Sequence, residues 1–114
     1  MTNLIDLTKQ YINAFDSKNL ILLEDFFIQD AILFDPANPT GVKGKENIIN
    51  MISNLFKEYD KLNFKETNIF IDGDTTIIEF SLTLNGQQLV GTDIIKWKNN
   101  KILELRAYLY QQTA

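Results

Sequence analysis

No histidine and no cysteine occur anywhere in this chain, and the two absences remove most of the usual catalytic vocabulary. Histidine is the common general base near neutral pH and the commonest metal ligand. Without it, Ser-His-Asp and Cys-His hydrolases are excluded, as are histidine-ligated zinc and non-haem iron centres. Without cysteine there is no thiolate nucleophile, disulfide framework or thiolate metal site, which accords with a reducing compartment. A carboxylate-only magnesium or calcium site is chemically open, but no EF-hand spacing is present; neither metal nor cofactor is expected. Long apolar runs are missing too: none approaches the ~18 residues of a membrane-spanning helix. The opening Met1 to Asp6 lacks the basic start of a secretory signal, so a cytoplasmic location without a membrane partner is expected. Positive charge is scarce, with 11 Lys and Arg against 15 Asp and Glu. The lysines are scattered, and Lys43 with Lys45 or Lys96 with Lys98 form no basic stripe, so a nucleic-acid partner is not expected.

What is present is the balance of a folded globular protein, 45% hydrophobic and 23% charged over 114 residues. That length suits one domain, expected to span residues 1–114. Leu4, Leu7, Tyr11 and Phe15 recur at helical spacing behind a capping Asn3, predicting a helix over 3–17. Leu20, Leu23, Phe26 and Phe27 predict a second, short helix over 19–28. Ala31 to Phe34 reads as a strand closed by Asp35-Pro36, and Pro36 to Gly44 as a loop. Ile48, Ile52, Leu55, Phe56 and Tyr59 predict a third helix over 45–59. From Lys61 the apolar period becomes two, and the turn pairs Asp72-Gly73, Asn85-Gly86 and Asn99-Asn100 divide the rest into four meandering strands. The pattern predicts an α+β fold in which three helices cover one face of a curved, mostly antiparallel sheet, leaving a cone whose mouth opens a small-molecule pocket.

Three polar residues interrupt this pattern. On the strand before the last, alternation groups Asp93 with Leu89, Gly91, Ile95 and Trp97, and Val90, Thr92, Ile94 and Lys96 on the other face. If the first face is the inner one, the carboxyl is desolvated, its pKa is raised, and it is a neutral hydrogen-bond donor; otherwise it points to solvent. Asp35 ends the first strand, either as a simple turn opener or as a rim carboxylate beneath the proline-containing loop. Tyr11 lies on the apolar face of the first helix, as a core aromatic or as a hydroxyl donor. Arg106, the only arginine, alternates with Ile102, Glu104 and Tyr108 and is expected in a solvent-facing or interface ion pair. Tyr108 and Tyr110 share that outer face, where the apolar surface predicts a homodimer through the sheet.

Tyr11-Ile12-Asn13-Ala14-Phe15, Ala31 to Pro36 followed by Gly44, Asp93 to Trp97, and Leu105-Arg106-Ala107 together resemble the nuclear-transport-factor-2-like (NTF2-like) superfamily, specifically its ketosteroid isomerase and SnoaL-like branch. The resemblance covers nearly the whole chain and implies the cone-shaped NTF2-like fold. It places Tyr11 on the oxyanion-binding tyrosine, Asp35 on the base, and Asp93 on the aspartic acid held protonated beside that tyrosine. It implies a cofactor-free isomerase that shifts a double bond beside a ketone, with a small apolar carbonyl compound as ligand. A non-catalytic binding module, a SnoaL-like cyclase or lyase, and an adaptor dimer with a closed pocket are the alternatives. The expected pocket walls are Phe56, Leu89, Ile95, Leu105 and Ala107. One departure is visible: where such isomerases often carry a supporting tyrosine on the third helix, this chain has Ile52.

Overall fold

The computed structural model describes residues 3–111. The elements are α1 (Leu4–Asp16), α2 (Leu20–Phe26), β1 (Phe27–Asp35), β2 (Asn38–Lys43), α3 (Lys45–Glu58), β3 (Leu62–Asp72), β4 (Thr75–Leu84), β5 (Gln87–Lys98) and β6 (Lys101–Gln111). Asn3 caps α1 as its sequence predicts, its side chain accepting from the Ile5 and Asp6 amides, and Asn19 does the same for α2 through the Leu22 amide. Each cap satisfies amide donors that a helix start leaves without partners.

The six strands run in the order β2-β1-β6-β5-β4-β3. Every pairing is antiparallel except that of β1 with β6. The helices are not consecutive: the β1–β2 hairpin separates α2 from α3. α1 packs against β3 and α3 against β1, on the face to which β4 turns Thr76, Ile78, Phe80, Leu82 and Leu84. No helix among the described residues is long and apolar enough to cross a membrane.

Two expectations are corrected. The segment after Pro36 is not wholly a loop, because Asn38 to Lys43 form β2 against β1, with Ile32 opposite Lys43 and Leu33 opposite Val42. Pro39 fits there because β2 is an edge strand and lacks a neighbour on one side. Gly41 has φ +96, and a Cβ there would stand 2.7 Å from Ile32 Cδ1, so only glycine lets the strands approach so closely. Ile102 also faces opposite to expectation: a bulge sets Lys96 against Glu104 but Trp97 against Ile102. The extra residue reverses the alternation and sends Ile102 fully into the core.

The end of α1 is tied down by charge. Asp16 Oδ1 accepts the Phe64 amide at 2.7 Å, starting β3, while Lys18 Nζ donates to the carbonyls of Phe56, Tyr59 and Asp60 at 3.0, 2.6 and 3.1 Å. The ammonium thus covers the C-terminal end of α3, where backbone carbonyls lack helical partners and the helix dipole is negative. Lys18 sits at φ 56, a left-handed backbone that a residue with a Cβ adopts at a cost; the three bonds offset it. Lys18→Met is expected to cost about 1.5–3 kcal/mol, the range for hydrogen bonds to a charged group, read as a lower urea midpoint at unchanged slope; an unaltered midpoint would show that solvent serves those carbonyls equally well.

Candidate functional site

Between the inner face of the sheet and the helices lies a cavity of about 90 Å³. Its walls are apolar, with Phe15, Leu33, Met51, Ile52, Leu55, Phe64, Phe80, Leu82, Leu105, Ala107 and Leu109, and its polar groups come from Tyr11, Asp35 and Asp93. The three residues singled out in the sequence therefore border one space. They arrive from α1, from the end of β1 and from the middle of β5.

Tyr11 is buried, 2% exposed, and its ring is wedged edge-on between Phe26 and Phe27 at centroid distances of 6.0 and 6.4 Å. Asp93 stands opposite Ile78 of β4 and Ala107 of β6, on the inward face, and is 4% exposed. Neither the Tyr11 hydroxyl nor the Asp93 carboxyl bonds to another described residue. No side-chain nitrogen or oxygen among the described residues is sealed in without a partner, so these oxygens border the cavity itself. Burial pushes the Asp93 carboxyl up to about 8, which makes it predominantly a neutral acid at pH 7. Burial, and then the proximity of Asp93, raise the Tyr11 phenol well above its ordinary value. Both groups are donors in search of an acceptor.

Asp35 fills both roles the sequence left open. Its Oδ1 accepts from the Asn38 backbone amide at 2.8 Å and from Asn38 Nδ2 at 2.9 Å, which closes the turn after β1. Both bonds fall on one oxygen. Oδ2 has no partner among the described residues, and the carboxylate borders the cavity.

Of the expected walls, Leu105 and Ala107 line the space, whereas Phe56, Leu89 and Ile95 do not. Phe56 is screened by Phe15, whose ring stands 5.2 Å away. Ile95 is fully buried one pleat deeper than Asp93, and Leu89 sits near the start of β5, opposite Leu82 and Gln111. Sequence reading missed Phe15, one turn after Tyr11 on the same helix face, and the inward row Phe80 and Leu82 of β4. Gly91 was a usable signal: a side chain there would collide with the Tyr108 carbonyl, Leu109 and Phe80, so its absence lets the cavity wall close. No cluster of carboxylates suited to a metal occurs among the described residues.

The cavity adjoins a larger groove. The ladder between β1 and β6 stops at Phe34 and Arg106, and past that point β1 turns away. The gap of about 420 Å³ is lined by Phe34, Pro36, Pro39, Thr92, Arg106, Tyr108 and Tyr110, and it shares Asp35, Ala107 and Leu109 with the cavity.

The family model of the SnoaL-like domain matches residues 8–105. A search of the curated proteins finds no match. Solved structures do match in fold. A SnoaL-like protein of unknown function from Burkholderia thailandensis superposes with a TM-score of 0.83 at 14% identity, over 96% of this chain and 98% of that one. A protein provisionally named a ketosteroid isomerase, from Kribbella flavida, gives 0.82 at 14% identity over 96% and 78%. One provisionally named a SnoaL-like polyketide cyclase, from Shewanella putrefaciens, gives 0.82 at 15% over 96% and 90%. At such identities the likeness establishes the NTF2-like fold.

Because the folded state holds Asp93 protonated to about 8 against an ordinary value of 3.8, the native protein binds the proton more tightly than the unfolded chain. Stability from this group is fully present below the ordinary aspartate value and is lost progressively as pH rises to about 8. Asp93→Asn, a neutral isostere, is expected to flatten that slope and to raise the melting temperature at pH 9; parallel pH–stability curves for the two proteins would contradict the buried neutral acid.

Proposed function

We propose, because this chain belongs to the SnoaL-like domain family, that its cavity binds the carbonyl of a small cyclic ketone and shifts an adjacent double bond into conjugation. The observation that carries this reading is the pair of unpartnered donors, Tyr11 and neutral Asp93, facing one apolar cavity with Asp35 at its mouth.

The Asp35 carboxylate removes a proton from the carbon between carbonyl and alkene. The C–H electron pair moves toward the carbonyl oxygen, forming a dienolate. Tyr11 and Asp93 donate to that oxygen, where charge develops, in a space with little water to screen them. Asp35 then returns the same proton to the far alkene carbon, and the double bond ends conjugated. Atoms and charge balance without a co-reactant. The aspartate base needs little travel between the two carbons, provided Asn38 holds its carboxylate in one orientation.

A structural or adaptor role with a nearly closed pocket is the second reading, favoured by the cavity's size: about 90 Å³ is below the roughly 300–1,000 Å³ of typical ligand pockets. Under the first reading only the reacting ring enters the cavity and the remainder of the ligand lies outside it. Outside the cavity, Phe70 on β3 and Tyr108 and Tyr110 on β6 are exposed apolar surface, and the proposed partner for the outer face is a second copy of the chain.

A β,γ-unsaturated cyclohexenone should convert to its conjugated isomer, seen as rising ultraviolet absorbance. Asp35→Asn should abolish the rise, and Tyr11→Phe should reduce the rate by ~10²–10³, as loss of one oxyanion donor typically does. The rate should fall as pH passes about 8, where Asp93 ceases to donate. Wild-type turnover no faster than Asp35→Asn would reject the isomerase and leave a non-catalytic role. Light scattering should return about twice 13.2 kDa; a monomer at micromolar concentration would dismiss the dimer.

A further inference from the structure

We propose that Met51 sets the size of ring the cavity admits: its side chain is the wall that yields when a ligand enters, so the substrate class is a single-ring rather than a fused-ring ketone. The proposal deepens the cavity reading above and rests on it for the carbonyl, but not for the size limit.

Its first support is a shortage of space. A volume of about 90 Å³ is smaller than the ~150 Å³ of an engineered apolar cavity that takes up benzene. Even one ring therefore enters only if a wall moves.

The second is that most walls are braced. The Phe64 ring stands 5.1 Å from Phe15 and 4.8 Å from Phe80, and Phe15 leans on Phe56 at 5.2 Å. Shifting one ring of such a close-packed row displaces the next. On α3, Ile52 is buried and branched at Cβ, which holds its χ1 in a helix. Met51, one residue earlier, is only partly buried. It is unbranched, with three rotatable bonds and a polarizable thioether that adapts to irregular gaps. Leu55, one turn on, is half-buried as well, but its shorter, branched side chain sweeps less space.

The third is how lightly Met51 is held, and by what. Asn38 Nδ2 donates to Asp35 Oδ1 at 2.9 Å and to Met51 Sδ at 3.5 Å. An amide has two hydrogens to give, and a thioether sulfur is a weak acceptor. The contact to sulfur breaks at small cost while the bond to the carboxylate stays. A ligand that pushes Met51 aside thus gains room without misaiming the proposed base, and gains it beside that base, where the reacting carbon must lie. A fused second ring needs more room than the swing of one side chain supplies while the aromatic row stays put.

The test compares cyclohex-2-enone with its ring-fused bicyclic homologue, an octalenone, by calorimetry on the full chain. Wild-type protein should favour the single ring by about tenfold, the scale on which an apolar pocket discriminates by a methylene or two. Met51→Ala should erase or reverse that preference by making the room permanent. Met51→Ile, similar in size but fixed at χ1 in a helix, should sharpen it; if Met51→Ala does not fold, the shift in Met51→Ile decides alone. A wild-type ratio of one, or a ratio that neither substitution moves, would overturn the proposal. Benzene and naphthalene, which carry no carbonyl, separate it from the reading it rests on, since Met51→Ala should shift their ratio in the same direction. If it does so while neither ketone binds, or while Tyr11→Phe leaves ketone affinity unchanged, the carbonyl reading fails and the size limit stands. If the hydrocarbon ratio does not move, the size limit falls.

Discussion

The parallel ladder between β1 and β6 ends at Phe34 and Arg106, and the opening of the cavity depends on where it stops. Had it continued, β1 would cover the remaining edge of β6, the cavity would have no mouth, and Asp35 would be one more residue in a sheet. It stops because Pro36 has no amide to donate and because Asp35 turns its carboxylate back onto Asn38. The returning strand then lies close over Ile32 and Phe34, an approach that Gly41 alone permits. Local turn chemistry over a few residues therefore sets both the opening and the position of the proposed base.

Inside the opening, the treatment of buried polar groups divides cleanly. Thr8, Thr76 and Trp97 are deep in the core, and they satisfy one another: Thr8 Oγ1 bonds to the Leu4 carbonyl and to Thr76 Oγ1, which also accepts from Trp97 Nε1. That network is structural, and every member has its partner. Tyr11 and Asp93 are as well buried, yet their oxygens are left to the cavity. The fold demonstrably closes polar networks where it needs them, so two open donors bordering one cavity are a departure that stability does not explain. Keeping Asp93 neutral limits the penalty of burying it, since an ionised carboxylate in the same place would cost far more.

Much of this was legible in the residue pattern, and the parts that were not have definable causes. Helical spacing located α1, α2 and α3 to within a residue or two, and the turn pairs divided β3 to β6, because both signals are local. Alternation grouped Asp93 with Ile95 and Trp97 and left open which face of the strand is inner, and the structure turns that face inward. Alternation failed at Ile102, where one bulged residue on β6 inverts the phase, and bulges answer to the pairing strand rather than to their own sequence. β2 was hidden by Gly41 and Pro39, which read as loop unless the strand is known to be an edge. The pocket walls were the least legible. Whether Phe15 or Phe56 meets the cavity depends on which of the two rings is in front, a matter of how α1 and α3 pack, and no spacing rule carries that information.

Asp35 shows how a turn and a proposed base can share one side chain. Its Oδ1 takes both Asn38 bonds, and Oδ2 takes none from the described residues. A carboxylate held only for the turn has no reason to border an apolar cavity, and one held only for catalysis would swing between rotamers when the site is empty. Locking one oxygen to the turn removes that freedom before any ligand arrives, so the entropy of positioning is spent during folding and not at the moment of reaction.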